Sequence, residues 1–208
     1  MALTLLLATR NRHKARELRR MFSKTGMRLI GLDRFPGIPS AREDGATFRA
    51  NAVKKALAVS RRSPLPVLAE DSGLEVFALR GEPGVRSARY ALRQAQGERT
   101  QSQMDQANNR KLLRLLKRVP PARRKGRFVC VMALAIGGKL IRTFSGACAG
   151  SIALEPAGRG GFGYDPVFIP RGRRRTMAQL APKAKDALSH RGAAAGRLRR
   201  WLFSQRLE

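Results

Sequence analysis

The chain has 208 residues, 43% of them hydrophobic, which suits one domain, 1–208, with a core of ordinary size and two lobes. Its 43 lysines and arginines against 14 aspartates and glutamates leave a formal charge of +29, which suits an anionic substrate or partner but reads first as an arginine-rich composition spread over solvated faces. No apolar run is long enough to cross a bilayer, the short apolar opening precedes its positive charges instead of following them as in a secretory signal, and Cys130 and Cys148 sit in apolar runs that argue against a disulfide framework and for a reducing cytoplasm.

Residues 3–8 read as a buried strand, followed by a Thr9-Arg10-Asn11 turn and an amphipathic helix whose Ala15, Leu18, Met21 and Phe22 share a face. Thr47 is placed to cap a second helix, with Phe48, Ala52, Ala56 and Val59 on its core side and Ser63-Pro64 as its stop. Residues 66–69 make a short strand that delivers Glu70-Asp71-Ser72-Gly73 into a turn. The apolar run 74–79 then continues to a break at Gly81-Glu82-Pro83-Gly84. The Gln- and Arg-rich stretch 92–106 reads as a surface loop or a loosely packed helix. Residues 108–119 are a helix, with Leu112, Leu113, Leu115, Leu116 and Val119 at helical spacing and Pro120-Pro121 as its end. Strands at 127–136 and 139–145 are joined by a Gly137-Gly138 hairpin turn, and 149–154 is another strand. A glycine-rich segment, 158–166, precedes a short helix at 176–180 and a closing helix at 192–203. Helices and strands mix around one antiparallel hairpin, so the expected fold class is α/β with a mixed sheet and a site in a cleft between lobes.

Few groups here can do chemistry. The turn Thr9-Arg10-Asn11-Arg12-His13-Lys14 opens a helix, where free backbone N–H groups, the helix dipole and Lys14 suit a phosphate. The glycines of a Walker loop are missing, and a polar strand-to-helix turn is also a common structural device. Glu70-Asp71 and Glu43-Asp44 are two acidic clusters in a chain poor in acids. Neighbouring carboxylates can hold Mg²⁺ and orient or deprotonate a water, or simply form a turn. Asn51 and Lys55 lie four apart on one helix face and can reach the same cleft. In Gly160-Gly161-Phe162-Gly163-Tyr164-Asp165 an aromatic stands between glycines that admit a ligand, beside an acid able to accept from a base edge. Lys185, Ser189, His190 and Arg191 crowd donors ahead of the closing helix. With two histidines and no Ser or Cys beside a base, a nucleophilic triad is not expected, nor is zinc.

In this order and spacing the pieces resemble the inosine triphosphate pyrophosphatase family. The family's Thr-Gly-Asn-x-x-Lys opening is similar to Thr9-Arg10-Asn11-Arg12-His13-Lys14, and its Thr-Phe-x-x-Asn-Ala-x-x-Lys-Ala helix to residues 47–56. Its Asp-Asp-Ser-Gly-Leu is similar to Glu70-Asp71-Ser72-Gly73-Leu74. The agreement continues through residues 83–90, Gly161-Phe162-Gly163-Tyr164-Asp165-Pro166 and Ser189-His190-Arg191. The resemblance implies an elongated mixed β-sheet flanked by helices, two lobes around a substrate groove, a homodimer, and Mg²⁺-dependent hydrolysis of ITP, dITP and XTP to the monophosphate and pyrophosphate. Carried over by position, Thr9, Asn11 and Lys14 would bind phosphates with Lys55 assisting, and Glu43 and Asp71 would hold Mg²⁺, Asp71 also serving as base for the attacking water. Phe162 would stack on the purine, and Asp165, Lys185, His190 and Arg191 would read its edge. Ser72, Gly163 and Tyr164 complete the implied substrate contacts.

Three departures stand out. Arg10 replaces the family's usual glycine, where the backbone torsion can disfavour an arginine; Glu70 replaces the first aspartate of the usual pair; Gln179 stands where an acid is common. The charge also admits a basic nucleic-acid-binding protein on the same scaffold, although no stacking aromatics interleave the arginine runs. A pyrophosphatase for other triphosphates is a further alternative, but the Ser-x-Ser-Pro-Arg-Arg start of the related Maf-like enzymes is absent. A folded but inactive member is the last, against which Asp71, Lys14 and Ser189-His190-Arg191 argue.

Overall fold

The computed structural model describes residues 3–39, 41–91 and 100–205. The strands are β1 (Thr4–Leu7), β2 (Arg28–Gly31), β3 (Val67–Val76), β4 (Lys125–Ile136), β5 (Lys139–Ile152) and β6 (Phe168–Pro170). The helices are α1 (Arg12–Phe22), α2 (Phe48–Ser60), α3 (Gln101–Leu115), α4 (Pro182–Leu188) and α5 (His190–Ser204). One sheet holds the strands in the order β2-β1-β3-β4-β5-β6. It is mixed as expected, for β1 pairs parallel with β2 and β3 whereas β6 is antiparallel to β5.

The chain divides into two compact units. The first comprises Met1–Ser72, Cys130–Gly146 and His190–Glu208; the second comprises Gly73–Val129 and Ala147–Ser189. In the first, the leucine run of β1 is wholly buried, as suits a parallel strand covered on both faces. Ala15, Leu18 and Phe22 of α1 and Ala194, Ala195 and Leu198 of α5 pack with Leu5, Leu7, Met132 and Phe144 into one core. In the second, Leu74, Leu112, Leu116, Phe128, Ile152 and Phe168 form another core, with the Phe128 and Phe168 rings 4.6 Å apart. There the buried Arg124 ends α3 by donating to the carbonyls of Leu116 (2.7 Å), Ala153 (2.9 Å) and Val119 (3.0 Å). Leu116 and Val119 are acceptors at the helix end and its exit turn, and Ala153 just follows β5, so one guanidinium ties the two together.

Several local expectations hold. Thr47 Oγ1 accepts the Ala50 N–H at the start of α2, and Gly137 and Gly138 take φ of 54° and 79°, the positive torsions of a two-residue hairpin turn. Others are corrected. Glu70-Asp71-Ser72-Gly73 is not a turn, because β3 runs unbroken through it for 10 residues. Turn-forming composition loses here because both carboxylates find cations inside the unit. The strands expected at 139–145 and 149–154 are one, β5, of 14 residues. Its Gly146 and Gly150 mark close approach, since a Cβ at Gly146 would lie 2.2 Å from the His190 carbonyl oxygen and one at Gly150 2.2 Å from that of Ile169. Helix α3 starts at Gln101 rather than 108, because Thr100 and Gln103 form a capping box. Of the stretch 92–106, residues 92–99 lie outside the described residues. The short elements β2, β6 and α4 were not expected; each is too brief to show a period.

Candidate active site

In the first unit α1 opens at the end of β1. Asn11 caps it, its Oδ1 accepting from the N–H groups of His13 (3.0 Å) and Lys14 (3.1 Å), while Asn11 N–H donates to Thr9 Oγ1 at 3.2 Å. Two of the N–H groups expected to face a phosphate are therefore occupied by the cap. What the turn offers an anion is the Thr9 hydroxyl and the Lys14 ammonium. Arg10 needs no unusual torsion, for Arg80 is the one non-glycine residue with positive φ among those described; its Nη2 donates to the Ile38 carbonyl. A cavity of about 710 Å³ beside the turn is lined by Arg10, Arg12, Arg16 and Arg19 together with Asp33.

Strand β3 brings Glu70, Asp71 and Ser72 to the same unit. Lys14 Nζ lies 3.2 Å from Glu70 Oε1, and Arg191 grips Glu70 through two bonds, Nε to Oε2 at 2.7 Å and Nη2 to Oε1 at 2.9 Å. Arg191 Nη1 also donates to Glu17 at 2.6 Å and Nη2 to Ser72 Oγ at 3.0 Å. All three charged groups of the Glu17–Arg191–Glu70 chain are buried. Burial by itself would raise the Glu70 carboxyl, but Arg191 and Lys14 together hold it far below the usual glutamate value. Cys130, wholly buried, donates to the same carboxylate at 3.4 Å; burial, followed by that charge, pushes its thiol well up, so it is no nucleophile. Arg191, expected at a base edge, thus sits in this ion-pair network. His190, buried as well, begins α5.

Asp71 is next to this network and differently placed. Asn51 Nδ2 donates to its Oδ2 at 2.9 Å, Ser72 N–H to its Oδ1 at 3.1 Å, and Lys55 Nζ stands 3.7 Å from Oδ1. The same Lys55 is 3.0 Å from Glu43 Oε1. Burial raises the Asp71 carboxyl above its ordinary value against the pull of Lys55 and Lys14. A carboxylate with a raised pKa, hydrogen-bonded and flanked by two lysines, is what a base for water needs. Asn51 and Lys55, four apart on one face of α2, both reach Asp71 of β3. Glu43 and Asp71 converge on one ammonium, so two hard oxygen donors already face a cation. That set fits Mg²⁺, which commonly takes one or two carboxylates and completes its shell with water and phosphate. Among the described residues no group of three or more potential ligands gathers.

The second unit gathers Phe162, Gly163, Tyr164, Asp165 and Lys185. Asp165 Oδ2 accepts the Phe162 N–H at 2.8 Å and also bonds the Lys185 ammonium, which stands 5.0 Å from the centre of the Phe162 ring. An aromatic face beside a buried, paired lysine gives a planar ligand both stacking and a charged donor. Tyr164 is buried, its hydroxyl donating to the Ser87 carbonyl at 3.0 Å. Burial pushes that phenol far above its ordinary range, so it packs and does not titrate. Glu17, Asp105 and Asn109 were missed by sequence reasoning. Glu17 is the one acid in the basic helix α1, and Asp105 and Asn109 are polar groups four apart ahead of Leu112. Those were the available signals.

A family profile described as the Ham1 family matches residues 5–201. A dITP/XTP pyrophosphatase of Geobacillus kaustophilus is 47% identical over 194 residues, covering 93% of this chain and 91% of the relative. One of Geobacter sulfurreducens is 45% identical over 204 residues, covering 98% of each. Among solved structures, a HAM1 protein from Coxiella burnetii superposes with a TM-score of 0.83 at 36% identity, covering 97% of this chain and 99% of that one.

Proposed function

The chain belongs to the Ham1 family, and on that premise we propose that it hydrolyses deaminated purine nucleoside triphosphates, ITP, dITP and XTP, to the monophosphate and pyrophosphate. The observation that carries this reading is Asp71, a buried carboxylate with a raised pKa held between Asn51 and Lys55. In the proposed reaction Asp71 takes the proton of a water attacking at the α–β phosphate linkage, the P–O bond to pyrophosphate breaks, and Lys14 and Lys55 offset the charge on the departing oxygens. Thr9 and Asn11 shape the phosphate turn. Glu43 and Asp71 would hold Mg²⁺, which when bound supplies charge neutralisation for the phosphate oxygens.

In the second unit, Phe162 would stack on the purine and Lys185, oriented by Asp165, would donate to its edge. A keto oxygen at purine C6 accepts from Lys185, whereas the amino group of adenine offers only a donor there, so hypoxanthine and xanthine are preferred to adenine. Ser72, Gly163 and His190 complete the substrate contacts in this proposal, with Tyr164 packed against Ser87 and Arg191 setting Ser72 and Glu70. Each compact unit carries one of the two clusters within a single domain, 1–208. Among the described residues no helix is long and apolar enough to cross a membrane. We place the enzyme in the cytoplasm as a homodimer, with nucleic acid admitted by the charge but not expected as its partner.

The test is pyrophosphate release from ITP, dITP, XTP, GTP and ATP with Mg²⁺, comparing the parent with Asp71→Asn. Release from the first three above GTP and ATP, falling by about 10²–10⁴ in Asp71→Asn, is the expected result. A parent that cleaves none of them, while binding RNA with a steep salt dependence, would refute the catalytic assignment.

A further inference from the structure

The glycine-rich loop is gripped by a helix that has no part in the chemistry above. Asp105 and Asn109 lie four residues apart on α3, the spacing that sets two side chains on one helix face. Asp105 Oδ2 accepts the Gly163 N–H at 2.7 Å, and Asn109 Nδ2 donates to the Gly163 carbonyl at 3.0 Å. One helix face thus takes both backbone polar groups of a single residue. Gly163 adopts φ of 63°, and glycine is the residue with most backbone freedom to lose, so an ungripped Gly163 is the natural point for this loop to swivel. Its two neighbours are tied as well, Phe162 N–H to Asp165 and the Tyr164 hydroxyl to the Ser87 carbonyl. That carbonyl also receives Asn108 Nδ2 at 3.3 Å, from the helix position beside Asn109.

We propose that Asp105 and Asn109 are positioning residues for purine recognition, whose joint hold on Gly163 sets the plane of the Phe162 ring before the base arrives. This rests on the reading of Phe162 as the stacking platform. A ring ordered in advance spares the ordering cost at binding, and stacking is made equally in the ground state and the transition state. The clamp therefore lowers KM and leaves kcat alone. The Asp105 bond is charge-assisted and is the stronger half of the grip.

The experiment compares the parent with Asp105→Ala, Asn109→Ala, the double variant and Asp105→Asn, which keeps an acceptor oxygen. Amide exchange at Gly163 is followed in the ligand-free protein, and KM and kcat are measured for ITP with Mg²⁺. Exchange at Gly163 should quicken about ten- to a hundredfold in Asp105→Ala, the loss of one hydrogen bond to a charged group. KM should rise about three- to tenfold in each alanine variant, with kcat within about twofold of the parent. Because both side chains act on one residue, the double variant should be little worse than the more affected single one, and Asp105→Asn should recover most of the parent KM. Faster exchange with an unchanged KM, or a fall in kcat that tracks only a loss of thermal stability, overturns the proposal. Unchanged exchange overturns it directly, whatever the kinetics. A parent that cleaves no triphosphate and binds no IMP sinks the assignment of the site itself, which the exchange measurement tells apart from failure of the clamp.

Discussion

Glu70→Gln tests the buried network at its centre. The glutamate side chain is 1% exposed and receives Arg191 through two bonds and Lys14 through a third, while Arg191 is 2% exposed. Replacing it by glutamine keeps the shape but removes the charge, and turns an amide NH₂ toward groups that are all donors. Removing one partner of a buried pair costs about 3–5 kcal/mol; Arg191 keeps Glu17 and glutamine can still accept one bond, so the change belongs at the low end, about 3 kcal/mol. For a chain of this length each kcal/mol moves the thermal midpoint by roughly 2–4 °C, so the variant should melt roughly 6–12 °C below the parent at neutral pH. Scanning calorimetry across pH adds a second constraint. The folded carboxyl titrates below its ordinary value of 4.5, so the unfolded chain takes up a proton first as pH falls. The parent therefore keeps this stabilisation above pH 4.5 and loses it as pH drops toward the folded value, whereas the glutamine variant has nothing there to titrate. The gap between the two should be full at neutral pH and narrow in acid. A variant melting within about 2 °C of the parent at pH 7, or a gap that widens in acid, refutes the argument.

Asp71 and Gly146 give two further tests. Because burial raises the Asp71 carboxyl above 3.8, Mg²⁺ binding in the absence of nucleotide should weaken by up to about tenfold per pH unit once pH falls below that raised value; calorimetric affinities that stay level down to pH 3.8 would contradict it. Gly146→Ala places a Cβ 2.2 Å from the His190 carbonyl oxygen and 2.5 Å from the Ala194 nitrogen, all backbone, so β5 and the start of α5 must part; urea unfolding should show a loss of about 1–3 kcal/mol or more, and a variant as stable as the parent would refute the close approach.

The helices were largely legible, and so was the strand-to-helix turn at Thr9-Arg10-Asn11. Ala15, Leu18 and Phe22 at helical spacing, Thr47 as a cap, and Gly137-Gly138 as a hairpin turn act over three or four residues, where sequence and structure share the same local physics. The Asn51–Lys55 spacing put both on one helix face, but that the face meets Asp71 came only from the structure. What misled was composition. Glu70-Asp71-Ser72-Gly73 and the glycines of β5 have the chemistry of breaks, yet each lies inside a long strand because of partners far along the chain.

From the sequence by itself came the residues proposed to bind phosphate, metal and base, the mixed α/β class and the family resemblance, all of which depend on neighbours in the chain or on motif order. The tertiary structure decided what those residues are to one another. Arg191 meets Glu70 across 121 positions and Glu17 across 174, and Asn109 meets Gly163 across 54. A bond across such a distance leaves no local period, cap or turn signal. It exists because folding closes the intervening chain and removes the water that would otherwise have satisfied each group.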